Sequence, residues 1–159
     1  MAQIHRLHAE VELKNCTADQ FYGFLKNEMT TLPQVIPHIF KSFQILAGDG
    51  KSEGTIWLSK VAMGTSHVEM AKEKIEAIDD ESRTFSVSVV DGDILRMYPK
   101  FEYTLAVTPL VTQGSEQSCL LKLSVEYEKE NEDVPHPHQY VEVATSSIKA
   151  IASHLANKS

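Results

Sequence analysis

Alternation of apolar and polar residues with a period of two runs almost unbroken through residues 40–130 and constrains the fold more than any other feature. It predicts strands near residues 41–47, 54–61, 66–79, 83–91, 94–109 and 118–129. The segments between them are rich in turn-forming residues, namely Gly48-Asp49-Gly50, Met63-Gly64-Thr65, Asp79-Asp80-Glu81-Ser82, Asp91-Gly92-Asp93 and Gln113-Gly114-Ser115. Because parallel strands require long crossover connections, such short links predict an antiparallel meander.

The predicted strands have one apolar face and one charged face. In the last three strands the apolar positions are Phe85, Val87, Val89, Leu95, Met97, Phe101, Tyr103, Leu105, Val107, Leu121, Leu123, Val125 and Tyr127. The charged residues Glu69, Lys100, Glu102, Lys122, Glu126 and Glu128 are assigned to the opposite positions. We therefore expect one face of the sheet to be buried and the other to contact water.

The first forty residues predict one more strand and two short helices. Alternation over residues 3–13 predicts a strand, and Thr17 with Gln20 forms the pattern of a capping box. Apolar residues at helical spacing then predict a helix over residues 18–28. Pro33 and Pro37 restrict any further helix to a short turn around residues 32–36.

A final helix is predicted over residues 137–157, and it is about 30 Å long at ~1.5 Å per residue. Its inward stripe consists of Tyr140, Val143, Ala144, Ser147, Ile151 and Leu155. Several of these side chains are small, so a helix of this kind packed on a curved sheet need not fill the space between them. An apolar void of that type is the usual form of a ligand cavity.

Charge and composition exclude some partners. The chain has 159 residues, with 22 acidic and 15 basic side chains and a net charge of −7, which would repel a nucleic-acid backbone. No stretch approaches the ~20 apolar residues of a membrane span, and the first residues lack the apolar core of a signal peptide. We expect one domain over residues 1–159, cytoplasmic, with Cys16 and Cys119 reduced, and monomeric or weakly dimeric.

Known catalytic and cofactor motifs are not matched. Gly50-Lys51-Ser52 lacks the earlier glycine of a phosphate-binding loop, since Ile45 stands in its place. The histidines form no metal-binding spacing, including the pair His136 and His138. We therefore predict no cofactor and no metal.

Acid–base chemistry has few candidates on the inner face. The strand over residues 66–79 changes phase somewhere between Met70 and Ile75, and a bulge there could turn Glu73 or Lys74 inward. The favoured interpretation is a row of solvated charges. For an enzyme, the candidates are Tyr103, Glu73 and His138.

The inward positions together predict an apolar pocket with a few hydroxyl groups. The predicted ligand-binding residues are Phe21, Leu25, Ile36, Trp57, Val68, Met70, Phe85, Val87, Val89, Met97, Phe101, Tyr103, Tyr140, Val143, Ser147 and Ile151.

Short motifs along the whole chain resemble the major latex protein-like family within the plant birch-pollen-allergen, pathogenesis-related superfamily. The matching segments are residues 18–22 (ADQFY), 54–56 (GTI), 75–79 (IEAID), 90–93 (VDGD), 107–109 (VTP), 126–129 (EYEK) and 131–135 (NEDVP). The resemblance implies an α+β helix-grip (START-like) fold. In that fold a seven-stranded antiparallel sheet wraps around a long C-terminal helix, with two short helices after the first strand.

The resemblance also implies a function. Family members are cytosolic plant proteins linked to defence and stress, and they bind small hydrophobic metabolites such as steroids, flavonoids, alkaloids or lipids. The same superfamily includes norcoclaurine synthase and alkaloid isomerases, so a cavity enzyme that condenses or isomerises such a metabolite is the alternative. The carrier is the favoured hypothesis.

Overall fold

Seven strands and three α-helices make up the architecture, seen in a computed structural model that describes residues 3–110 and 117–158. The strands are β1 His5–Lys14, β2 Phe40–Ala47, β3 Ile56–Met63, β4 His67–Asp79, β5 Thr84–Gly92, β6 Lys100–Leu110 and β7 Ser118–Glu128. The helices are α1 Ala18–Asn27, α2 Leu32–Val35 and α3 His138–Lys158, with 3₁₀ turns at Met29–Thr31 and Asp93–Arg96. The predicted turn at residues 113–115 lies outside the described residues.

All seven strands form one antiparallel sheet in the order β1-β7-β6-β5-β4-β3-β2. Strands β2 to β7 each pair with their neighbour in the sequence, so the predicted meander is confirmed. Strand β1 joins the far side of the meander by pairing with β7, with Leu7 opposite Val125 and Leu13 opposite Cys119. The long helix α3 packs across the inner face, where it contacts β1, β3, α1 and α2.

Helix α1 begins where the capping box predicted. The Thr17 hydroxyl accepts a hydrogen bond from the Gln20 backbone N–H at 3.0 Å, and the Gln20 side chain accepts one from Thr17 N–H at 2.8 Å. Phe21, Phe24 and Leu25 bury its apolar face. The cap therefore gives α1 a defined start, and the helix contacts β6, β7 and α3.

The chain before β6 corrects the predicted strand over residues 94–109. Residues Asp93–Arg96 form a 3₁₀ turn, and the strand begins only at Lys100. Tyr98 is buried, and its hydroxyl donates to the Pro135 carbonyl at 2.5 Å, which holds this segment against the loop before α3. Alternation alone could not separate this turn from a strand.

Two irregularities in the pairing of β4 with β5 decide which side chains face inward. Glu73 lies opposite Val89 while Lys72 lies opposite Asp91, so Val90 is the extra residue on β5. A second shift, between Ile75 and Ala77, makes Glu76 the extra residue on β4. The predicted change of phase between Met70 and Ile75 is therefore wrong, because the phase of β4 changes at Glu76.

Candidate functional site

A cavity of about 190 Å³ lies between the inner face of the sheet and helix α3. It exceeds the engineered apolar cavity of about 150 Å³ that binds benzene, but it is smaller than the ~300–1,000 Å³ of drug-sized pockets. Met70 lines it and is 42% exposed, so the cavity reaches the surface at that point. The space holds a small ring system as it stands, and a larger ligand requires side chains to move.

Apolar residues from both layers form most of the wall. The helices contribute Phe21, Leu25, Leu32, Tyr140, Val141, Val143, Ala144, Ser147, Ile148 and Ile151, with Met29 between α1 and α2. The sheet and the turn after β5 contribute Phe40, Ser59, Val61, Met63, Glu69, Met70, Ala71, Glu73, Val89, Ile94, Phe101, Tyr103, Leu105, Leu123 and Val125.

Small side chains on α3 leave this space open. Ser147 lies in the middle of the helix, and its hydroxyl donates to the Val143 carbonyl one turn earlier at 2.8 Å. That bond satisfies the hydroxyl within the helix, so Ser147 presents a small surface with little free polarity. Ala144 lines the cavity beside it.

Glu73 provides a carboxyl group in the wall of the cavity. It lies opposite Trp57 in the β3–β4 pair, and the Trp57 indole Nε1–H donates to its Oε1 at 2.8 Å. The Tyr103 hydroxyl hydrogen-bonds to the same carboxyl group. The expectation of a solvated Glu73 is wrong, because Glu73 lines the cavity and burial raises its pKa. Glu73 lies two residues before buried Ile75 on the same strand, so both side chains face the inner side of the sheet.

The pKa of Glu73 is raised above its ordinary value. Burial disfavours the charged form, while hydrogen bonds from Trp57 and Tyr103 act in the opposite direction. The pKa of the Tyr103 hydroxyl is also raised, by burial and then by the nearby charge of Glu73. The two groups therefore hold their protons more tightly than they would in water.

Glu69 occupies the open end of the cavity. The Tyr140 hydroxyl donates to its Oε1 at 2.6 Å, and His67 Nε2 lies 2.7 Å from its Oε2. Burial raises the pKa of Tyr140, and its hydrogen bond to Glu69 raises it further. The assignment of Glu69 to the outer face is thus wrong, because Glu69, Ala71 and Glu73 share one phase of β4.

The structure divides the predicted ligand-binding residues into three groups. Those that line the cavity are Phe21, Leu25, Met70, Val89, Phe101, Tyr103, Tyr140, Val143, Ser147 and Ile151. Those buried in the core outside it are Ile36, Trp57, Phe85 and Val87. Val68 and Met97 are 49% and 37% exposed, so the prediction that they line the ligand-binding pocket is corrected. Val68 has the outward phase of β4, and Met97 follows the 3₁₀ turn instead of lying in a strand.

Of the three acid–base candidates, only Glu73 and Tyr103 come together. His138 is exposed at the first residue of α3, away from the cavity. Among the polar residues that line the cavity, Glu69 and Ser59 were not predicted from the sequence. Counting back from Ile75 in steps of two would have placed Glu69 on the inner face. Ser59 lies opposite Ala71, which has the same phase, in the β3–β4 pair.

No cluster of three histidine, cysteine or carboxylate side chains able to hold a metal ion occurs within residues 3–110 and 117–158. None of the helices in the same residues has the length and apolar character to cross a membrane.

Comparison with known proteins agrees with this architecture. The model of the pathogenesis-related protein Bet v 1 family matches residues 2–158. The chain belongs to the Bet v 1 family. MLP-like protein 423 of Arabidopsis thaliana is 34% identical over 149 residues, covering 94% of this chain and 92% of the relative. Major latex protein 146 of Papaver somniferum is 35% identical over 141 residues, covering 89% and 85%. These relatives confirm the resemblance to the major latex proteins.

Solved structures of Bet v 1-like proteins confirm the helix-grip fold. Ginseng major latex-like protein 151 from Panax ginseng superposes with a TM-score of 0.84 at 23% identity, covering 95% of this chain and 97% of that one. Norcoclaurine synthase from Thalictrum flavum, solved with dopamine and hydroxybenzaldehyde, gives a TM-score of 0.73 at 25% identity, covering 96% and 88%. The same fold thus occurs in a latex-type protein and in an enzyme.

Replacing Glu73 with Gln is expected to stabilise the protein at neutral pH. The raised pKa means that the unfolded chain loses the Glu73 proton at lower pH than the folded protein does. The free energy of unfolding of the wild type therefore falls as pH rises from the ordinary value of 4.5 toward the raised one. Gln keeps an acceptor for Trp57 and Tyr103 without the charge, and we expect a gain of about 1–3 kcal/mol.

Urea denaturation at about pH 4.5 and about pH 7.5 measures this difference. The gain should be small at the lower pH and larger at the higher one. Glu102→Gln, which removes one charge from the outer face, is the control. A gain of E73Q that is equal at both pH values would contradict the assigned pKa shift.

Proposed function

We propose that this protein binds and carries a small apolar metabolite in the cavity beneath α3. The observation that carries the proposal is the cavity itself, whose wall is apolar except for a few oriented groups, chiefly Glu69, Glu73, Tyr103 and Tyr140. Transfer of apolar area from water, at roughly 25 cal/mol per Å², supplies the affinity. Membership of the Bet v 1 family and similarity to major latex proteins support a cytoplasmic plant protein with a role in defence or stress.

Native mass spectrometry after incubation with a plant metabolite extract tests the carrier. The expected result is one apolar molecule per chain, recovered with unchanged mass and displaced by close analogues. No retained molecule would overturn the proposal.

Filling the cavity from α3 is expected to weaken binding. Ser147→Leu adds apolar volume at a buried position that lines the cavity, so the affinity for the recovered ligand should fall at least about tenfold. Ser146→Leu places the same substitution on the exposed side of the helix, one residue away, and should leave binding unchanged. Calorimetric titration of both variants measures the effect. Equal affinities would place the ligand elsewhere.

An enzyme is the second candidate, and the contact between Glu73 and Tyr103 inside the cavity favours it. These two groups could exchange a proton with a bound substrate, since a general acid or base must lie within hydrogen-bond reach of the reacting atom. Similarity to norcoclaurine synthase adds support. Turnover would be seen as a recovered molecule with altered mass or isomeric form, and Tyr103→Phe should abolish the change.

A further inference from the structure

The charged side chains of the cavity wall are all acidic. Glu73 and Glu69 are its ionisable carboxylates, and no lysine, arginine or histidine from residues 3–110 or 117–158 lines it. A buried carboxylate is ordinarily paired with a cation or a metal, because its desolvation is costly. Among the residues that the structure describes, Glu73 has no such partner, since its hydrogen bonds come from neutral Trp57 and neutral Tyr103.

Glu73 retains capacity for another donor. A carboxylate offers about four acceptor positions, and the indole N–H and the phenol O–H use two of them. The group lines the cavity, so a molecule within that space can supply a further donor. Burial raises the pKa of Glu73, and the hydrogen bonds from Trp57 and Tyr103 only partly oppose this shift.

Glu69 is less available for this role. Its two oxygens already contact Tyr140 and His67, at 2.6 and 2.7 Å. It lies at the open end, where it adds negative potential along the route to Glu73. Phe101 and Tyr103 also line the wall, and an aromatic ring attracts a cation placed over its face.

We infer that the preferred ligand is an apolar molecule bearing a protonated amine, whose ammonium group pairs with Glu73 while its apolar body fills the cavity. This inference rests on the proposed carrier function and names the chemical class of its ligand. Anionic amphiphiles such as fatty acids are disfavoured, because their carboxylate would meet two like charges. Neutral analogues gain the apolar contacts but not the ion pair.

Three probes with one apolar body test the inference. The cation is 1-naphthylmethylamine, the neutral analogue is 1-naphthylmethanol, and the anion is 1-naphthoate. Calorimetric titrations are made at about 0.15 M salt, where long-range attraction by the negative surface is screened. We expect the amine to bind roughly tenfold more tightly than the alcohol and the acid to bind most weakly.

Variants assign the preference to one carboxylate. Glu73→Gln keeps an acceptor for Trp57 and Tyr103, and it should reduce the amine's affinity about tenfold while changing the alcohol's affinity less than about twofold. Glu102→Gln alters the net charge equally but lies on the outer face, and it should preserve the preference for the amine.

Each result decides between the two proposals. If the alcohol binds as tightly as the amine, or if E73Q keeps the preference for the amine, the inference is overturned and the apolar carrier stands. If none of the three probes binds, the carrier function fails together with it.

Discussion

Gly92→Ala is expected to destabilise the protein by about 3–5 kcal/mol, through backbone strain and overpacking together. Gly92 ends β5 with φ of +133° and ψ of 178°, a conformation that residues with a side chain rarely adopt. A Cβ atom there would lie 2.3 Å from the Met70 carbonyl oxygen and 3.0 Å from the Ala71 Cα. Both contacts are to backbone, so no side chain can rotate to relieve them.

Thermal unfolding of three glycine variants measures this effect. Gly92→Ala should lower Tm by roughly 10 °C, at about 2–4 °C for each kcal/mol in a chain of this size. Gly64→Ala shares a positive φ, of +62°, but meets no atom within 4 Å, so it should show the strain alone, about 1 kcal/mol. Gly23→Ala, inside α1 with open space around it, should be slightly stabilising. Equal losses of stability in the Gly92→Ala and Gly64→Ala variants would mean that the close contact of the added Cβ with the backbone does not destabilise the protein.

Gly92 also lies against the backbone of Met70 and Ala71, which line the cavity. The residue after it, Asp93, accepts a hydrogen bond from the Met70 backbone N–H at 2.9 Å through its carboxylate. A shift of Gly92 would therefore move Met70 and its neighbour Glu69. We expect Gly92→Ala to weaken ligand binding as well as folding.

The order of elements could be predicted from the sequence because each is specified locally. Thr17 and Gln20 define the start of α1 through bonds between near neighbours in the chain. Alternation defined the strands to within a few residues, except before β6. There, burial of Tyr98 and its bond to Pro135 across the structure override the local pattern.

The position of the phase change in β4 could not be predicted, because a bulge is a property of a strand pair. The extra residue Glu76 is recognisable only from the pairing of Ile75 with Val87 and Ala77 with Ser86. A displacement of one residue exchanges the two faces of a strand. The assignment of Glu69 to the outer face and of Val68 to the cavity has a different origin, because the apolar character of Val68 and Met70 outweighed the count of two back from Ile75.

The sequence also does not show which inward side chains line the cavity and which are buried in the core, because this depends on three-dimensional packing. Val87 and Val89 have the same phase on β5, yet Val89 lines the cavity and Val87 is buried in the core. The distance between sheet and helix at each point decides this difference. Alternation within one strand carries no information about that distance.

Trp57→Ala is expected to cost about 3–5 kcal/mol, as for other large aromatic residues removed from a core. Trp57 is fully buried, with ring centroids 5.1 Å from Phe43 and 6.3 Å from Phe85. Its loss leaves a void beside these rings and removes a donor from Glu73. Urea denaturation measures the change, and a loss below about 1 kcal/mol would contradict the assigned packing.

Trp57→Phe separates the hydrogen bond from the packing, since it keeps an aromatic ring but loses the indole N–H. In the wild-type background it should cost about 1–3 kcal/mol, because Glu73 then holds its buried charge with Tyr103 as the remaining donor. In the Glu73→Gln background the cost should be smaller by about 1 kcal/mol, since no charge depends on the lost donor. Additivity of the two changes within about 0.5 kcal/mol would show that Trp57 does not stabilise the ionised carboxylate. A positive coupling would instead show that Trp57, which is buried beside the cavity without lining it, stabilises the ionised carboxylate of Glu73.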